Sequence, residues 1–144
     1  MASTTTQFKQ ETFQTTKAGK PRPLYEDEYS KINDDQLIIT WYFFPTAISK
    51  KIDIKDIKGV YFRKQSFSAD FGVTKQWGMS FSPIWWASDM KRSCRGDDSK
   101  HFNVVVDCGD STHKGFTTTN IDAFLSVIRR KIAPGTPIVN DLPC

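Results

Sequence analysis

The sequence predicts a mainly β domain, with about seven antiparallel strands followed by one C-terminal amphipathic helix. Three observations carry that prediction. Between Leu24 and Phe116 lie several short runs in which apolar residues alternate with polar ones, the period of a half-buried strand, and the runs are broken by proline, glycine and aspartate. Only after Thr119 does the period lengthen to that of a helix, and it does so once. A chain of 144 residues that is 38% hydrophobic and 13% aromatic can build one aromatic-rich core but not two independent ones.

Residues 1–23, rich in Thr, Gln and Lys and closing on "KAGKPRP", show no sustained apolar period and read as a flexible N-terminal tail, with Phe8 and Phe13 isolated in it. The domain is expected to run from residue 24 to residue 132. In "QLIITWYFF" alternation puts Leu37, Ile39, Trp41 and Phe43 on one face and Ile38, Thr40, Tyr42 and Phe44 on the other, up to Pro45. Every residue of that run favours a strand. In "AISKKIDI", Ile48, Ile52 and Ile54 oppose Ser49, Lys51 and Asp53, so one face is wet. "DIKGVYFRK" supplies another strand with Val60 and Phe62 on one face, and "KQWGMSFS" a further one that stops at Pro83. "HFNVVVDCGDSTHKGFTT" has the form of a hairpin, with Phe102, Val104 and Val106 inward, "CGDS" as the turn, and pairing restarting at Gly115 and Phe116.

In "TNIDAFLSVIRRKI", Ile121, Phe124, Leu125, Ile128 and Ile132 fall on one helical face. Thr119 is the expected N-cap, with Asp122 three residues on, and Arg129, Arg130 and Lys131 suit the negative end of the helix dipole before "APG" stops it. Residues 133–144 read as a C-terminal tail.

No run approaches the roughly 20 apolar residues that cross a bilayer, and "MASTTTQFKQETFQTT" lacks the apolar segment of a signal peptide, so a cytoplasmic location is expected, membrane association included. Cys94, Cys108 and Cys144 are odd in number and widely spaced, which fits a reducing compartment rather than a disulfide framework. The net charge of +4 is scattered rather than gathered into a basic stripe, which disfavours nucleic acid as a partner.

This order of elements resembles the pleckstrin-homology-like (PH-like) barrel. The resemblance is carried by "INDDQLIITWYFF", by "KKIDIKDIKGV", which is similar to the strand-turn-strand of bacterial-type members, and by "HKGFTTTNIDAFLSVI", which looks like a final strand and capping helix. It covers residues 24–132. It implies two nearly orthogonal sheets with the helix plugging one end, and either phosphoinositide recognition or protein interaction. Headgroup binders of the family carry a basic run where this chain has the acidic "YEDEYSKINDDQ", whose charge would repel phosphates.

Two basic sets are the candidate ligand-binding residues. In "FSPIWWASDMKRSCRGDD", Trp85 and Trp86 supply large amphipathic rings, and Lys91, Arg92 and Arg95 supply charge for anionic headgroups or an acidic peptide. The competing reading sends neighbouring strand residues to opposite faces, so that one ring enters the core and Asp89 pairs with a nearby base. Lys51 and Lys55, with Lys50 and Lys58, form the second set, which is otherwise a solvated sheet face protected from edge pairing. Cys94, His101, Cys108 and His113 lack the close pair of a zinc site, so no metal or cofactor is implied. His113, Asp107, Asp110 and Ser111 crowd one turn, and no enzyme motif is present. The expectation is a non-enzymatic binding or adaptor module for a protein segment or an anionic membrane surface. The alternative is a small-ligand or enzymatic barrel with an aromatic-lined cavity. Oligomeric state is left open.

Overall fold

A computed structural model of the chain describes residues 22–66, 72–92, 94–95 and 100–143; the N-terminal tail expected over residues 1–23 lies outside the described residues except for its last two. The chain is mainly β, with two sheets and one α-helix among the described residues. The first sheet is an antiparallel meander of β1 (Tyr25–Glu26), β2 (Ser30–Ile32), β3 (Gln36–Ile39) and β4 (Lys50–Asp53). A 3-10 turn at Ile54–Asp56 leads to the second sheet. That sheet holds β5 (Gly59–Lys64), β6 (Gly78–Met79), β7 (Ile84–Trp86), β8 (Phe102–Asp107), β9 (His113–Thr118) and β10 (Ile138–Val139), in the order β10-β5-β8-β9-β7-β6.

The expectation of a purely antiparallel set is corrected at two places. β7 runs parallel to β9 and β10 runs parallel to β5. Alternation within a strand reports which faces are buried, not the direction of the neighbour, so the sequence pattern is blind to this difference.

Leu37, Ile39 and Ile52 from the first sheet meet Val60, Val104, Val106 and Phe116 from the second in one core. Helix α1 (Ile121–Lys131) lays Phe124, Leu125, Val127 and Ile128 on that core, and Phe124 stands edge-on to Tyr25 and Phe116 with centroids 5.5 and 5.7 Å apart. The expected helical face is therefore the buried one. Its cap differs, because Asn120 rather than Thr119 accepts the Ala123 N–H, at 3.1 Å. Thr119 is drawn away to Asp27, whose Oδ2 accepts the Thr119 backbone N–H at 3.1 Å and a hydroxyl from Thr118, also at 3.1 Å. Asp27 also accepts from the Tyr29 and Ser30 amides, so one carboxylate ties the β1–β2 turn to the start of the helix.

β8 is buried on both faces. Val104 and Val106 point into the main core while Val105 joins Ile84, Trp86 and Leu142 in a second cluster on the far side of the sheet. The continuous "VVV" run is what a doubly covered strand requires. Part of that cover comes from the segment expected to be a C-terminal tail: β10 pairs with β5, Asp141 meets Arg63 at 2.9 Å, and Leu142 is buried.

Candidate functional site

The strand alternation of β7 sends the two neighbouring tryptophans to opposite faces. Trp86 is completely buried, its Nε1–H donates to the Val73 carbonyl at 3.0 Å, and the Arg92 guanidinium lies 4.7 Å from the ring centre. Trp85 is half-buried against the main core and donates its Nε1–H to the Tyr42 carbonyl at 2.8 Å. Of the two contact candidates, Trp86 is entirely structural and Trp85 is spent mostly on packing.

Arg92 does not face solvent, which corrects its expected place in a surface contact. Its guanidinium is fully buried and donates to Asn103 Oδ1 at 3.1 Å, to Thr117 Oγ1 at 3.0 Å, and to the carbonyls of Lys75, Gln76 and Ala87. Arg95 is largely buried beside it and grips Asp89 with a fork of two bonds at 2.8 and 3.0 Å, while also donating to Gln65 and to the Tyr29 hydroxyl. Burial alone would push the Asp89 carboxyl up, but the hydrogen bonds from Arg95 and Thr117 and the charges of both arginines outweigh it and hold the group well below the usual carboxylate range. The network fixes the 87–95 loop to the sheet. Of the three bases, Lys91 is the one exposed.

Lys51 and Lys55 are both exposed but serve different grooves. Lys51 shares one with Lys50, Lys58 and Lys114. Lys55 lies in another, against Asp34, Asp35, Asp53 and Lys131, where carboxylates outnumber ammonium groups. Lys91 and Arg95 line a third. The two basic sets therefore do not converge.

The most conspicuous surface comes from the stretch expected to be the longest strand. "QLIITWYFF" pairs only as far as Ile39; Trp41 takes a left-handed backbone conformation with φ 53°, as does Ala47 with φ 64°. The pleat ends there and its parity reverses. Tyr42 turns into the core, while Trp41, Phe44 and Ile48 are 57%, 59% and 61% exposed and Phe43 is exposed with them. Lone exposed apolar residues are ordinary, but four within eight positions form a patch.

The loop is firmly held. The Tyr42 carbonyl accepts both the Trp85 and the Trp77 indole N–H, at 2.8 and 2.9 Å, filling its two lone pairs. The Phe43 amide donates to Ile48 O at 3.1 Å, the Ala47 amide to Phe43 O at 2.6 Å, and the Ser88 amide to Trp41 O at 2.8 Å. Trp77 stands between Trp41 and Phe44, edge-on to each, at 6.5 and 5.0 Å. Exposed rings are thus fixed in place before any partner arrives, which lowers the entropy lost on binding. Beside the loop, Trp41 and Met90 border an open groove of about 620 Å³ that also takes in Tyr29, Lys91, His101 and Glu28. Lys50 sits over the Phe43 ring at 5.8 Å. Four consecutive aromatics before a proline was the available signal, because a strand with one wet face cannot bury rings on both sides.

His113 Nδ1 lies 3.7 Å from Asp107 Oδ1, too far for a hydrogen bond. Among the described residues no three His, Cys, Asp or Glu side chains gather as a metal site requires, and no helix is long and apolar enough to cross a membrane. No family model, curated protein or solved structure matches the chain.

Proposed function

We propose that the chain is a non-enzymatic cytoplasmic binding module on a PH-like barrel framework, and that it docks on an anionic membrane surface through the loop 41–48. A four-stranded meander, the strands β5–β9 of a second sheet and then a helix are the order such a framework would have, and β10 follows as an addition to it. Leu37, Phe116 and Phe124 fill the space where the sheets meet, which supports a site on the surface over a ligand chamber inside.

The observation that carries the proposal is the rigid loop whose Trp41, Phe44 and Ile48 side chains are more exposed than covered. Lys50 beside Phe43 and Lys91 beside Trp41 give its margins positive charge. Apolar side chains dip into the acyl boundary while lysines meet anionic headgroups, each lysine near the surface contributing on the order of 1 kcal/mol. A protein segment is the other occupant such rings would suit.

Sedimentation with phosphatidylcholine vesicles containing phosphatidylserine tests the proposal. The parent protein should pellet with the vesicles, less so at high salt. A Phe44→Ala, Ile48→Ala variant should bind about tenfold or more weakly, since each fully inserted side chain is worth about 1.5–3 kcal/mol. Equal sedimentation of parent and variant would remove the membrane reading. Absence of sedimentation by the parent would do the same and turn attention to a protein segment.

A further inference from the structure

We infer that the lysine-lined groove between β4 and the β8–β9 turn is a binding site for a phosphate-bearing anion, an inference that rests on the membrane-docking reading only where the anion is a lipid headgroup. The groove has a volume of about 340 Å³. Lys50 and Lys51 reach it from β4, Lys58 from the residue before β5, and Lys114 from β9, so the fold gathers ammonium groups that are far apart in sequence. Lys58 is held at its edge by packing along the turn, its Cγ 3.6 Å from where a Cβ on Gly109 would stand.

Lys114 is buried, and its Nζ donates to Asp110 Oδ2 at 2.5 Å and to the Thr112 carbonyl at 2.9 Å. An ammonium has three protons, so one is left for a ligand in the groove. Among the described residues, Lys50, Lys51 and Lys58 have no carboxylate within ion-pair distance. Three ammonium groups outside ion-pair distance of a carboxylate, Lys50 among them over the Phe43 ring, and a buried fourth border one concavity, and an anion that accepts from several of them satisfies donors the protein leaves to solvent. A phosphate group, with three strong acceptor oxygens and a charge of about −1.5 to −2, suits such a cluster better than a carboxylate with two oxygens.

The groove also holds Asp53, Asp56 and Asp110. Asp110 is committed to Lys114, and Asp53 accepts from the Gln36 side-chain amide at 3.2 Å. Four lysines against three aspartates leave an excess of one positive charge, so affinity should be modest and sensitive to salt. Lys50 belongs to this groove and to the aromatic loop at once, through its position over Phe43. An anion held here would therefore sit beside the side chains proposed to enter the membrane.

Amide chemical shifts followed during titration with inorganic pyrophosphate test the site directly. Signals of Lys51, Lys58, Gly109 and Lys114 should move together. A Lys51→Gln, Lys58→Gln variant should bind about tenfold or more weakly, given charge-assisted hydrogen bonds lost at two exposed positions. Asp56→Asn should bind more tightly than the parent, because it removes a repelling charge. Movement confined to other parts of the chain, or a double lysine variant that binds as the parent does, would overturn the inference.

Vesicles of phosphatidylcholine doped with phosphatidic acid, compared with phosphatidylserine at matched charge, separate the two sources. A preference for phosphatidic acid that the lysine variant loses identifies a lipid phosphomonoester. Pyrophosphate binding without that preference identifies a soluble phosphorylated ligand. The Phe44→Ala, Ile48→Ala variant should keep its pyrophosphate affinity while it loses vesicle binding; a parent that shows the groove shifts but does not sediment sinks the membrane reading alone, and a parent that sediments without groove shifts sinks this one alone.

Discussion

Replacing Arg92 by methionine should destabilise the fold by about 3–5 kcal/mol, the range for removing one partner from a buried charge network. The side chain is fully buried and lies against Trp86, so methionine retains some of the packing and loses the guanidinium. Three of the five acceptors keep other partners, since Gln65 Nε2 still donates to Asn103 Oδ1 at 3.0 Å and to Thr117 Oγ1 at 3.1 Å, and the Asp89 amide to the Gln76 carbonyl at 2.9 Å. The Lys75 and Ala87 carbonyls lose their bonds from Arg92, and the charge of Asp89 is left with Arg95 as its nearby base. An orphaned buried acceptor costs about 1–3 kcal/mol, and the weakened hold on Asp89 adds to it. The neighbouring Lys91→Met is the control, because an exposed change of this kind should stay within about 0.5 kcal/mol. Urea unfolding followed by tryptophan fluorescence measures both. Should Arg92→Met share the midpoint of the control, the network does not anchor the 87–95 loop.

Two further perturbations probe the same sheet. Because the folded-state pKa of Asp89 lies below its unfolded value of about 3.9, its ionised form contributes stability that is complete above that value and is lost as pH falls through it toward the folded pKa. Urea midpoints of the parent should therefore drop between about pH 6 and about pH 3 more steeply than those of Asp89→Asn; parallel curves would refute the assignment. Gly115→Ala should cost about 1–3 kcal/mol or more, because its Cβ would stand 2.5 Å from Trp86 Cε3 in a ring held by Arg92, and an unchanged melting temperature would contradict that contact.

The sequence by itself determined the mainly β class, the hairpin 102–118 and the helix 121–131 with Phe124, Leu125 and Ile128 on its buried face. Those features are local. A period of two or of 3.6 residues states which side of an element avoids water, and it does so whatever the element packs against. The parting of Trp85 and Trp86 to opposite faces was also within reach, since neighbouring strand residues alternate, but which of the two rings is fully buried was decided by the fold. Tertiary structure alone decided the remainder. "TWYFF" has every local preference of a strand, yet the indoles of Trp77 and Trp85, which follow by more than thirty residues, capture the Tyr42 carbonyl and hold the chain as a loop. Arg92 has the composition of a surface base, and only the convergence of Asp89, Asn103 and Thr117 makes its burial tolerable. Lys50, Lys51 and Lys58 read as a solvated face, and pairing of the sheets brings Lys114 to them from 56 or more positions away. Side-chain partners distant in sequence carry no periodic trace, so a site assembled from them becomes visible only once the chain has folded.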